Sequence, residues 1–124
     1  MYIVDTNVLV YAFEGIEPYA SFVKGEVSNK GIAISVITVS EFIVGLDDDL
    51  TALFEEFINS VDIFDVNTHI ARVAGDYRRN SKKTKKVYLL DCLIAATAKN
   101  HNLTLVTKNK KDYPMKDIKV MSLN

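Results

Sequence analysis

The chain has one cysteine, two prolines, five glycines and no tryptophan in 124 residues. The single cysteine, Cys92, excludes an internal disulfide. Its apolar neighbours mark it as a small core residue rather than a reactive thiol. None of the five glycines stands close to another, so the chain has neither a phosphate-cradling glycine loop nor a dinucleotide fingerprint. The two histidines, His69 and His101, have no cysteine–histidine pattern around them; zinc spacing is absent and both read as surface residues. No apolar run reaches roughly 18 residues, which excludes a transmembrane helix. The chain starts on a strand-like segment with no basic n-region, so no signal peptide is expected and a cytoplasmic protein without membrane attachment is. Repeats, low-complexity tracts and linkers are also missing, and 1–124 reads as a single domain.

What is present is a large apolar fraction, 48%, enough for a real core. Net charge is −1, but its distribution is uneven. Residues 1–65 hold twelve acids against two lysines, a balance of −10; residues 66–124 hold four acids against thirteen lysines and arginines, a balance of +9. Such asymmetry suits a polyanion or an acidic partner, and equally an ordinary pair of solvated faces.

Hydrophobic periodicity predicts strands at Tyr2–Asp5, Ile32–Ser35, Val61–Val66, Leu103–Thr107 and Ile118–Met121. Between them it predicts helices. The first runs over Thr6–Phe13, capped by Thr6 or Asn7, and the second follows Pro18 with Tyr19, Phe22, Val23 and Val27 on its apolar face. A third spans Ile37–Leu46 and carries Glu41. A fourth, after the Asp47-Asp48-Asp49 run, buries Leu50, Leu53, Phe54, Phe57 and Ile58. The fifth is capped by Asn67, and the last covers Leu90–Asn100. Ser81–Lys86 reads as a basic loop. Strands alternating with helices predict an α/β fold, a three-layer sandwich with a mainly parallel sheet. The bulky set Val8, Leu9, Phe13, Phe42, Ile43 and Leu46 exceeds what one helix face needs; core is its expected use, with some of it available as an interface.

Three acids occupy loaded positions. Asp5 ends the first apolar run, at the carboxyl end of the first strand, where open α/β sheets place their ligands. Glu41 lies in Ser35-Val36-Ile37-Thr38-Val39-Ser40-Glu41-Phe42. Asp91 opens the apolar helix Leu90-Asp91-Cys92-Leu93-Ile94-Ala95-Ala96-Thr97-Ala98. Singly, each has an ordinary role: helix cap, solvent-facing residue, or acid favoured by a helix dipole. Together they suggest one carboxylate cluster at one edge of the sheet. Carboxylates are hard ligands suited to Mg²⁺ or Mn²⁺, and without an ion their repulsion raises at least one pKa. A hydrated ion there would activate water and stabilise charge on a phosphoryl group. Asn109 or Asp112, in the segment after the fourth strand, could add a fourth polar ligand. Lys108, Lys110 and Lys111 lie beside it. Arg72, Arg78, Arg79, Lys82, Lys83, Lys85 and Lys86 form a second basic group, suited to phosphate contacts that position a nucleic acid without reading its sequence.

Four segments taken in order resemble the PIN domain, most closely the VapC-like ribonuclease toxins of prokaryotic toxin–antitoxin pairs. They are Ile3-Val4-Asp5-Thr6-Asn7-Val8-Leu9, Ser35–Gly45 around Glu41, Leu90–Ala98 around Asp91, and Leu105-Val106-Thr107-Lys108-Asn109-Lys110-Lys111-Asp112-Tyr113. The resemblance implies an α/β/α sandwich on a five-stranded, mainly parallel sheet. It implies Asp5, Glu41 and Asp91 as the acidic metal-binding core, with Thr6 in a polar role beside them. The family's fourth acid falls where Asn109 and Asp112 compete for the place. It further implies homodimers and inhibition by a small cognate antitoxin protein.

The expected activity is therefore Mg²⁺-dependent endoribonuclease cleavage, with Asp5, Glu41 and Asp91 holding the ion, Asp112 or Asn109 supporting it, and basic residues of the second half guiding RNA. The rivals are a PIN nuclease of RNA processing with no toxin role, and a degenerate PIN module that binds without cutting. An aspartyl phosphatase is disfavoured by Asn7, which takes the place of its second acid. A receiver-like module would need its phosphoacceptor near Asp65 and paired acids after the first strand, where only Asp5 stands.

Overall fold

The computed structural model describes residues 1–81 and 87–123. Strand β1 (Tyr2–Val4) leads into helix α1 (Thr6–Phe13); Gly15, just beyond it, turns the chain with φ of 76°, a conformation glycine takes without strain. Helix α2 (Tyr19–Ser28) follows Pro18, and strand β2 (Ile32–Ser35) runs directly into helix α3 (Val36–Val44). A 3-10 turn at Asp48–Leu50 precedes helix α4 (Thr51–Ile58), then strand β3 (Asp62–Phe64) and helix α5 (Thr68–Asn80). Helix α6 (Leu89–Asn100), strand β4 (Thr104–Val106), a 3-10 turn at Lys110–Asp112 and strand β5 (Lys119–Met121) complete the described chain.

The five strands form one sheet in the order β3-β2-β1-β4-β5, and every pairing is parallel. Chain order reverses at β1: β2 and β3 build outwards on one side, β4 and β5 on the other. The crevice between β1 and β4 is therefore the topological switch point, the place where such sheets hold ligands.

Alternation along the strands separates two cores. Val4, Ile32, Ile34 and Val106 face α1 to α4, packing on Val8, Leu9, Tyr19, Val23, Phe42, Phe54 and Phe57. Ile3, Ala33 and Leu105 face the other way, onto Ile94, Ala95 and Ala98 of α6. A third cluster, Ile70 and Ala74 against Cys92 and Ala96, joins α5 to α6. The result is the expected three-layer sandwich, with Cys92 fully buried between two helices.

Some helix details depart from the expected pattern. The cap of α1 is Asp5, whose carboxylate accepts from the Thr6 amide, so the ordinary role open to Asp5 is the one taken, and Thr6 and Asn7 lie inside the helix. Helix α3 starts a residue earlier than expected, because the Ser35 hydroxyl accepts from the Ile37 amide. On α4, Leu53 is exposed while Phe54 and Phe57 are buried, so the buried stripe is narrower than the spacing suggested. Of the bulky set around α1 and α3, only Ile43 points outwards; Val44 beside it is 88% exposed. Among the described residues no helix is long and apolar enough to cross a membrane.

Phe54 is fully enclosed, stacked on Phe42 at 4.7 Å between ring centroids and met edge-on by Phe13. Phe54→Ala should cost about 3–5 kcal/mol, since the surrounding helices collapse only partly onto the void. Denaturant unfolding of the variant and its parent measures the loss.

Candidate active site

Parallel strands bring their carboxyl ends to one edge, and the chain places its polar residues there. Asp5 follows β1 directly, and its amide donates to the Val106 carbonyl at 2.9 Å. Burial of so polar a group requires partners. One carboxylate oxygen accepts from the Thr6 amide at 2.8 Å, and the other from the Thr107 hydroxyl at 3.0 Å. Thr107 is itself buried, just beyond β4. Asp5 thus spans the switch point between the two central strands.

Glu41 reaches the same edge along α3. Its Oε1 accepts a 2.6 Å hydrogen bond from the Thr6 hydroxyl, which also lies 3.4 Å from the buried Thr38 hydroxyl. Thr6 is therefore the link between the first acid and the second. Asp91 stands in the first turn of α6, half-buried, and its Oδ1 accepts from the Tyr113 hydroxyl at 3.4 Å. Tyr113 also offsets part of the effect of burial on Asp5. Asp112, in the 3-10 turn before Tyr113, repels Asp91 electrostatically. Asn109 caps that turn through the Lys111 amide, and its side-chain amide lies 3.4 Å from Asp112.

The electrostatics bear the mark of crowded acids. Burial raises the pKa of Asp91 to about 6, and the charges of Asp5, Asp112 and Glu41 push it the same way. Asp5 is also raised, by burial first, against the opposing hydrogen bonds from Tyr113, Thr107 and Thr6. Burial and the same carboxylates push the Tyr113 phenol upwards, so it stays a neutral donor. The two ion pairs among the described residues, Arg79–Asp76 and Lys99–Asp117, involve none of these acids. Nor do any three His, Cys, Asp or Glu side chains, among the described residues, close into a ready-made cage for an ion. An open set of hard oxygens at mutually repelling distance suits Mg²⁺ or Mn²⁺, because Mg²⁺ keeps several waters and needs only one or two carboxylates.

The expected basic residues divide. Lys110 and Lys111 are exposed on the turn that carries Asp112. Lys108 donates to the Tyr11 hydroxyl at 2.8 Å, while its amide donates to the Asn7 side chain at 3.3 Å. Arg78 and Arg79 end α5; Arg79 pairs with Asp76, and Arg78 acts on the Cys92 thiol beside Asp91. Lys82 and Lys83, with Lys85 and Lys86, lie outside the described residues. His69 is exposed, whereas His101 is half-buried and stacks on Phe64. Asp65, the acceptor a receiver-like module would need, follows the edge strand β3, two strands away from Asp5.

Thr38, Thr107 and Tyr113 escaped the sequence reading. All three are uncharged, and hydroxyl residues in apolar company carry no periodic signal. Their only mark was proximity to the acidic segments.

Both raised carboxylates stabilise the fold only while protonated. That contribution is present below the ordinary aspartate value of 3.8 and is lost as pH rises through about 6 for Asp91. In chelator, the melting temperature should therefore fall between about pH 4 and about pH 7, and Asp91→Asn should flatten the fall. Thermal melts across that range check it.

Comparison with known proteins agrees with this geometry. The family model for the PIN domain matches residues 2–119. Ribonuclease VapC19 of Mycobacterium tuberculosis is 32% identical over 118 residues, covering 93% of this chain and 94% of the relative. Ribonuclease VapC10 of the same organism is 30% identical over 116 residues, covering 93% and 87%. Among solved structures, VapBC2 of Rickettsia felis bound to a promoter DNA fragment superposes with a TM-score of 0.84 at 25% identity, over 99% of this chain and 98% of that one. A toxin–antitoxin complex from Klebsiella pneumoniae gives 0.81 at 27% identity, over 98% and 96%. A parallel five-stranded sandwich with its acids at the switch point, matched by the family model over nearly its whole length, places this chain in the PIN domain family.

Proposed function

We propose that this chain is a divalent-metal-dependent endoribonuclease, the toxin of a toxin–antitoxin pair. The observation that carries the reading is the gathering of Asp5, Glu41 and Asp91 at the carboxyl edge of the sheet, tied together by hydrogen bonds from Thr6, Thr107 and Tyr113. Relatives named ribonucleases and neighbours solved as toxin–antitoxin complexes support the substrate class and the partner. Asp5, Glu41 and Asp91 would hold Mg²⁺ or Mn²⁺, with Asp112 as the fourth acid. When bound, the ion supplies Lewis acidity towards a phosphoryl oxygen and lowers the pKa of water.

The chain's own part is to orient and to exclude. Thr107 and the Thr6 amide fix both oxygens of Asp5, and the Thr6 hydroxyl fixes one oxygen of Glu41. Their remaining lone pairs are acceptors for a water that attacks phosphorus in line. The bond to the leaving ribose oxygen breaks, and that oxygen takes up a proton. Asn109 supports Asp112 from the turn it caps. Lys110 and Lys111, next to Asp112, would meet RNA phosphates, with Lys108, Arg78 and Arg79 further along the surface. Lys82 and Lys83 belong to the same basic group by sequence. Exposed Ile43 and Val44 of α3, with Leu89 and Leu90 of the adjoining α6, support a homodimer. The absence of a membrane-crossing helix among the described residues is consistent with a cytoplasmic site of action.

Asp5→Asn and Asp91→Asn should each lower magnesium-dependent RNA cleavage by at least about two orders of magnitude, since loss of mere supporting groups already costs about 10–100-fold. Chelator should abolish the parent's activity, and both variants should keep a cooperative melt. Cleavage at the parent rate by either variant would refute the assignment. Replacing Lys110 and Lys111 by alanine should weaken RNA binding and reduce its salt dependence by roughly 0.7 in log–log slope per lysine. Binding isotherms at several salt concentrations measure it. Co-expression with the product of an adjacent small reading frame should suppress the cleavage and separate a toxin from a processing nuclease.

A further inference from the structure

Tyr113 is 3% exposed, and its ring belongs to the core beneath α6, among Ile3, Ala33, Ile94 and Leu105. Phenylalanine would fill that space as well. Packing therefore explains the ring and not the hydroxyl. A buried hydroxyl is unfavourable without a partner, and this one donates to Asp91 Oδ1 at 3.4 Å. Asp91 and Asp5 come from opposite parts of the chain, and they repel each other. A neutral donor on Asp91 offsets that repulsion. A lysine would do so too, but its ammonium would compete with an ion for the same oxygens.

The remaining partners of Asp5 leave little else to fix Asp91. Asp5 is already held by the Thr6 amide on one oxygen and by Thr107 on the other. Among the described residues, the Asp91 side chain accepts one hydrogen bond, that from Tyr113. The backbone aims the ring: the Tyr113 amide donates to the Lys110 carbonyl at 3.1 Å, closing the 3-10 turn that also carries Asp112.

We infer that Tyr113 is a positioning residue of the acid site, whose hydroxyl holds Asp91 in the orientation in which it receives a divalent ion beside Asp5. This rests on the metal-binding reading of the acids given above. Hydrogen-bond donors that orient metal ligands typically change affinity by about 10–100-fold when removed.

Titration of the purified full-length chain with Mn²⁺, following the free ion by electron paramagnetic resonance, tests the inference. Tyr113→Phe keeps the ring and should raise the Mn²⁺ dissociation constant by about 10–100-fold, with a melt in chelator close to the parent's. Tyr77→Phe is the control: it removes a hydroxyl from the same side of the sheet, one that donates to Asp117 at 2.8 Å, and should leave Mn²⁺ affinity unchanged. A Tyr113→Phe affinity within about twofold of the parent's overturns the inference while leaving the metal reading intact. Parent Mn²⁺ binding that survives Asp5→Asn unchanged overturns the metal reading and the inference together.

Discussion

Repulsion among carboxylates at one edge of a parallel sheet is the constraint around which this molecule is arranged. Asp5 is buried at the crevice between the two central strands, and Asp91, Glu41 and Asp112 bear on one another or on it. Concentrated negative charge in a partly dry site is unfavourable. The fold meets this with neutral donors. Thr6, Thr107 and Tyr113 and one backbone amide supply the hydrogen bonds. The acids stay oriented by uncharged groups.

Topology explains why the donors are where they are. In the order β3-β2-β1-β4-β5, the strand that delivers Asp5 lies beside the strand that delivers Thr107. Helix α6 runs back against the sheet, so its first turn carries Asp91 to the same edge. Helix α3 begins without a loop after β2, which brings Glu41 back within reach of Thr6. The two apolar clusters on either face of the sheet fix these directions, and the site inherits its precision from them.

Much of this was legible in the residues. Apolar runs marked all five strands, and the three main acids stood out because acids are rare in such company. The class of fold followed from alternation alone. Strand order did not, because nothing local in Leu105 or Val106 states that β4 lies beside β1. For the same reason Thr107 and Tyr113 went unread: their importance comes from what they face across the sheet and not from their neighbours in the chain. Leu53 shows the converse, an apolar residue at helical spacing that the packing leaves outside. Asn109 and Asp112 could not be ranked from spacing, whereas the short turn that holds both shows Asn109 bracing the turn and Asp112 bearing on Asp91.

The contact between Thr107 and Asp5 joins groups 102 positions apart. Every strand pairing in the sheet is likewise parallel and non-local, so none can form as a simple hairpin during synthesis. In a nascent chain Asp5 emerges long before Thr107, the hydroxyl it meets across the sheet, and Asp91 emerges before Tyr113. The acid centre is therefore assembled only after β4 and the turn beyond it have been synthesised.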